Sequence, residues 1–90
     1  MGAYGGPAAV SVEGSDGEIP VTVWAISHVD DGGERTWVGR IEPQQHGALL
    51  PAHIARRARI VIGGQTSHIQ ITVYTDRLCE FRGLDDPPFP

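Results

Sequence analysis

The segment Ile19-Pro20-Val21-Thr22-Val23-Trp24-Ala25-Ile26-Ser27-His28-Val29 decides the fold. Its odd positions are all apolar or small, whereas its even positions mix Pro20, Thr22, Trp24, Ile26 and His28. Side chains of an extended chain point alternately to opposite faces, so this pattern is a strand with one core face and one outer face. Pro20 has no amide hydrogen, which places the start of the strand at an edge or a bulge. If the odd face is core, Trp24 and Ile26 stand side by side on the outside. A Trp–Ile pair there is either covered by another part of the chain or is a partner surface or ligand groove.

The same grammar repeats on both sides. Ala8 to Glu13 alternates and reads as a strand, preceded by a flexible 1–7 segment and followed by the turn residues Gly14-Ser15-Asp16-Gly17. Asp30-Asp31-Gly32-Gly33 is a hairpin connection leading into a strand from Arg35 to Glu42, with Trp37, Gly39 and Ile41 on one face. Gly39 inside a strand marks a bulge, a bend or the close approach of other atoms. Arg40 then points the other way, towards an acidic partner. Arg56 to Ile62, His68 to Thr75 and Leu78 to Gly83 read as three further strands. Ile69, Ile71 and Val73 share one face with Val21, Val23 and Ala25 in a common core.

Between them, the 43–55 connection contains Leu49, Leu50 and Ile54 around Pro51, enough for one short helical turn over the end of the sheet. Valine, isoleucine and threonine supply 21 of the 90 residues against four leucines, a balance that favours strands. The expectation is therefore a single all-β domain, an antiparallel six-stranded small barrel or half-barrel with meander-like neighbours. Residues 84–90, with three prolines, form an extended tail. Its polar start and its apolar Phe89 predict that the tail docks back onto the domain, covering a barrel end or a sheet face; a free polyproline segment offered to a partner is the alternative.

Composition excludes several functions. The net charge is −4 and the pI about 5.4, which argues against nucleic acid and anionic membranes as partners. No apolar run approaches the length of a membrane helix, and the first residues lack the basic and apolar regions of a signal peptide, so the expected location is cytoplasmic. All seven basic residues are arginine, and asparagine is absent, which fits a GC-rich bacterial genome. The single cysteine, Cys79, permits no intrachain disulfide and reads as a small buried apolar residue.

Catalytic constellations do not assemble. His28, His46, His53 and His68 lack the spacing that puts two metal ligands on one face of an element. Asp30-Asp31 and Asp85-Asp86 sit beside glycine or proline, where acidic residues serve turns. Arg56-Arg57-Ala58-Arg59 is the one basic cluster and reads as a solvated face, with anion binding as its alternative. No catalytic residue, metal ligand or cofactor is therefore assigned.

One resemblance spans most of the chain. Tyr4-x-Gly6-Pro7-Ala8, Pro20-Val21-x-Val23, Asp31-Gly32, Trp37-x-Gly39-Arg40-Ile41, Phe81-x-Gly83 and Pro87-Pro88-Phe89 together resemble a family of small β domains of unknown function. Its members stand alone as short proteins or sit at the C-terminal end of flavin-dependent monooxygenases in GC-rich bacteria. This chain has no flavin or nicotinamide domain, so the resemblance implies an accessory β domain and no oxygenase activity. A core this small makes a lone domain marginal, so a homodimer or an unknown protein partner is expected. The candidate interaction residues are Trp24, Ile26, Arg40 and Phe89. The alternative is a small barrel that binds a hydrophobic small molecule.

Overall fold

The computed structural model describes residues 2–12, 17–45, 47–75 and 78–89. Six strands, β1 (Gly2–Ser11), β2 (Ile19–Val29), β3 (Arg35–Pro43), β4 (Arg57–Ile62), β5 (Gln65–Tyr74) and β6 (Cys79–Gly83), and one helix, α1 (Leu50–Ala55), make up the fold. All strand pairs are antiparallel and the sheet closes into a barrel in the order β1-β2-β3-β6-β5-β4. The domain is thus two three-stranded meanders. The 44–56 connection between them does not join neighbours: β3 pairs with β6 and β4 with β1. Meander order holds within each triplet and stops at that connection.

The period-two pattern of β2 sets the inside. Val21, Val23, Ala25 and Ser27 are buried, together with Trp37 and Ile41 of β3, Ala58, Ile60 and Ile62 of β4, Ile69 and Ile71 of β5, and Cys79 and Phe81 of β6. The barrel is filled by its own side chains, as a small barrel must be. Pro20 pairs with Ala9 of β1, and the ladder to β3 starts only at Val21, so its missing amide faces no strand.

Several expectations need correction. Residues 2–7 are not a flexible lead. They form the first half of β1, in register with β2 from Gly2–Ser27 to Val10–Ile19. Glycine and proline have poor intrinsic strand preference, but the ladder to the long β2 supplies backbone hydrogen bonds that need no side chain. Glu13 lies outside the described residues.

Val73 does not join Ile69 and Ile71 in the core. A register shift between Ile71 and Val73 leaves Thr72 as an extra residue, so Val73 pairs with the exposed Glu80, and Tyr74, opposite Cys79, packs against the core. In α1 it is Leu49 and Ala52 that are buried over the barrel end, while Leu50 and Ile54 are exposed. Pro51 sits in the first helical turn, where its missing amide costs nothing, and starts the helix.

Trp37 organises the other end. Its indole meets Phe81 edge-on at 5.3 Å between ring centres and Phe89 at 5.7 Å. A side chain at Gly83 would fall within that indole, and one at Gly39 would lie 2.5 Å from the Trp24 carbonyl oxygen and 2.7 Å from the Phe81 ring. Both glycines are therefore required by close approach. From Gly83 the chain turns back across this end. The Leu84 amide donates to the His68 carbonyl at 2.8 Å, Trp37 Nε1 to the Asp85 carbonyl at 2.8 Å, and the Ser67 hydroxyl to the Asp86 carbonyl at 2.6 Å. Pro87, Pro88 and Phe89 are buried.

Candidate interaction surface

Outward-facing residues of four strands line up in two rows. Register places Gly5, Trp24, Arg40 and Glu80 across β1, β2, β3 and β6, and places Ala3, Ile26, Val38 and Arg82 in the adjacent row. Trp24, Ile26 and Val38 are 41%, 54% and 44% exposed, far more than their hydrophobicity favours. Neither the 43–55 connection nor the tail covers them. The alanine and glycine of β1 stand too low to fill the space beside Trp24, so the surface is an open groove of about 850 Å³.

Electrostatics shape its rim. The Arg40 guanidinium carbon lies 4.9 Å from the centre of the Trp24 ring, a cation–π contact that ties the two neighbouring side chains together. Arg40 was expected to pair with a carboxylate. Glu80 stands directly opposite on β6, but the one ion pair among the described residues is His68–Asp85. The indole face next to Arg40 on β2 takes the guanidinium instead.

The structure thus brings Trp24, Ile26 and Arg40 together and removes Phe89 from the set. Phe89 is 6% exposed, packs on Trp37 and lies 6.1 Å from the Tyr4 ring. Its carbonyl accepts from Arg35 Nη2 at 3.3 Å. It is part of the core at the barrel end, as the docking expectation for the tail required, and is not available to a partner. Val38 belongs to the surface and was missed. Its sequence signal was its parity, opposite to the core residues Trp37 and Ile41.

The remaining polar residues fall into place individually. Asp30 Oδ1 accepts from the amides of Gly32 at 2.9 Å and Glu34 at 2.8 Å, which is turn chemistry. His28 Nε2 and the Thr36 hydroxyl are 3.0 Å apart across β2 and β3. The Asp85 carboxylate accepts from the His68 amide at 3.0 Å and lies 2.6 Å from His68 Nδ1. Hydrogen bonds from that ring, then from that amide, hold the Asp85 carboxyl below its ordinary pKa. Burial pushes the Cys79 thiol up to about 11, so it is neutral near pH 7. His46 lies outside the described residues; among those described, no three metal-binding side chains converge. No helix among them is long and apolar enough to cross a membrane. Compared with known proteins, the chain matches no family model, no curated protein and no solved structure.

Proposed function

We propose that this domain is a non-catalytic accessory β module that works by protein–protein docking through the Trp24–Ile26–Val38 face, with a second copy of the chain as its first partner. The observation that carries this reading is the contiguity of three large exposed apolar side chains on a four-stranded platform. A wall of paired strands fixes those side chains in advance, so little conformational entropy is lost on docking, and a central tryptophan is the residue type that most often anchors an interface. The rim carries both signs of charge, Arg40 and Arg82 against Glu80, so two copies of the face can meet without opposing only like charges. The resemblance noted above adds a setting: an accessory part of a bacterial flavin-dependent monooxygenase system, in the cytoplasm.

Sedimentation velocity over a concentration series tests this. The wild-type chain is expected to show a mass above one protomer, and Trp24→Glu to shift the equilibrium towards monomer without lowering the melting temperature of the monomer. A wild-type chain that stays monomeric at high concentration rejects the homodimer. A second reading rests on the apolar lining of the groove, which also suits a small hydrophobic molecule. Native mass spectrometry of the purified protein separates the two, since a bound small molecule adds mass to the single chain.

A further inference from the structure

The outer wall of β4, β5 and β6 carries a different chemistry from the docking face. A cavity of about 500 Å³ opens there between the end of α1 and the strands, lined by His53, Arg56, Gln70, Tyr74 and Arg82 among others, with no carboxylate among the described residues that line it. Cross-strand register sets Arg57, Gln70 and Arg82 side by side. Gln70 Oε1 accepts from Arg82 Nε at 2.9 Å. That bond aims the guanidinium and leaves its two terminal nitrogens with no hydrogen-bond or carboxylate partner among the described residues.

Arg56 is the second unusual feature. It has φ 63°, the one positive φ outside glycine among the described residues. Glycine takes that conformation without steric cost, yet the position carries an arginine. Its backbone is clamped: the amide donates to the His53 carbonyl at 3.1 Å, and the carbonyl accepts from the Ile71 amide at 2.9 Å. The clamp fixes where the side chain leaves, at the rim of the cavity. The His53 ring, stacked on Tyr74 with centres 4.5 Å apart, forms an adjoining wall.

We propose that this cavity binds a small oxyanion, inorganic phosphate or the phosphoryl group of a phosphomonoester, held by Arg82 and Arg56 with His53 beside them. Guanidinium forks match the geometry of phosphate oxygens, and fixed donors lose less entropy on binding. Two guanidinium groups from separate elements suit a tetrahedral group with oxygens on several sides; a lone carboxylate is satisfied by one fork. No carboxylate among the described lining residues competes with a bound anion for these donors. The cavity shares Arg82 with the rim of the docking face, whereas Arg56 and His53 line the cavity alone, so Arg56→Gly is the variant that tests the cavity without touching the docking face.

The test is thermal melting of the full chain in sodium phosphate against sodium chloride at equal ionic strength, for wild type, Arg82→Ala and Arg56→Gly. A site filled at about ten times its Kd raises the melting temperature of a domain this size by about 5 °C or more. The expected result is a saturable rise for wild type that is lost in both variants. Arg56→Gly relieves the backbone conformation, so it is expected to melt at or above the wild-type temperature in chloride, which separates loss of binding from loss of fold. Phosphomonoester is tested with glycerol phosphate, which is expected to reproduce the rise. No rise in wild type overturns the proposal, as does an equal rise in all three proteins. An equal rise in acetate overturns the assignment to phosphate.

Discussion

Replacing Phe89 with alanine separates a docked tail from a passive one. Phe89 is 6% exposed and closes the barrel end against Trp37 and Tyr4. Truncating a buried phenylalanine in a closed core costs about 3–5 kcal/mol, through lost transfer free energy and the cavity left behind. Here the cavity borders solvent and the segment is near the chain end, so it collapses more easily than a central site. Against that stands the loss of two aromatic contacts at about 0.5–1.5 kcal/mol each. The balance is about 2–3 kcal/mol, which in a domain of this size lowers the melting temperature by roughly 10–20 °C. Far-UV circular dichroism follows the melt, and Trp37 fluorescence reports the site directly, because opening the tail frees the indole Nε1 from the Asp85 carbonyl and wets it. The emission of the variant should move to the red at temperatures where the barrel is still folded. A melting temperature within about 2 °C of wild type, with unshifted emission, would refute the reasoning and reduce the tail to a tether.

Gly39→Val is expected to cost about 3 kcal/mol, the upper end for overpacking, because one of the atoms it meets is the Trp24 backbone carbonyl, which cannot rotate away; urea midpoints read the loss. Gly83→Ala should cost more, about 3–5 kcal/mol, since the added methyl displaces the whole Trp37 indole from the core. The Asp85 carboxyl has a depressed pKa in the folded protein, so the stability it contributes is present above its unfolded value near 3.8 and is lost as pH falls through the folded value. Asp85→Asn is expected to lower the melting temperature at pH 7 and to flatten its decline on the acid side, a slope that melts from pH 6 to pH 2 measure.

Legibility in the sequence followed how much each element depends on its own side chains. β2, β3, β4 and β6 bury one face each, so alternation alone located them within a residue or so. The first half of β1 was invisible because Gly2-Ala3-Tyr4-Gly5-Gly6-Pro7 has almost no side-chain signal; it is a strand because β2 is long enough to pair with it. The bulge at Thr72 was equally hidden. Thr72 is an ordinary strand residue, and only the pairing with β6 shows that Val73 and Tyr74 exchange faces there. At the candidate surface, Trp24 and Ile26 were legible from parity. The cation–π contact to Arg40 was not, since opposite charge on Glu80 offered an equally good partner on paper.

Net charge is silent on local patches for a related reason. A sum of −4 averages over a barrel whose charges are unevenly placed, although Glu80 shares the outer face of β6 with Arg82. Asp30, Asp31 and Glu34 lie at the β2–β3 turn, and Asp85 and Asp86 in the tail, all at the margins of the barrel wall. Arg57 and Arg59 stand on the β4 wall with Arg56 at its edge, and Arg82 stands on β6 between that wall and the apolar face. Coulomb interactions between exposed groups fade over about 8–10 Å at physiological salt, so carboxylates at the turns do little to neutralise that wall. What a ligand meets there is the local set of guanidinium groups, not the net charge of the chain. The same register that fills the barrel with valine and isoleucine therefore leaves an apolar face and an arginine-rich one that meet at Arg82, and each has to be judged by its own neighbours.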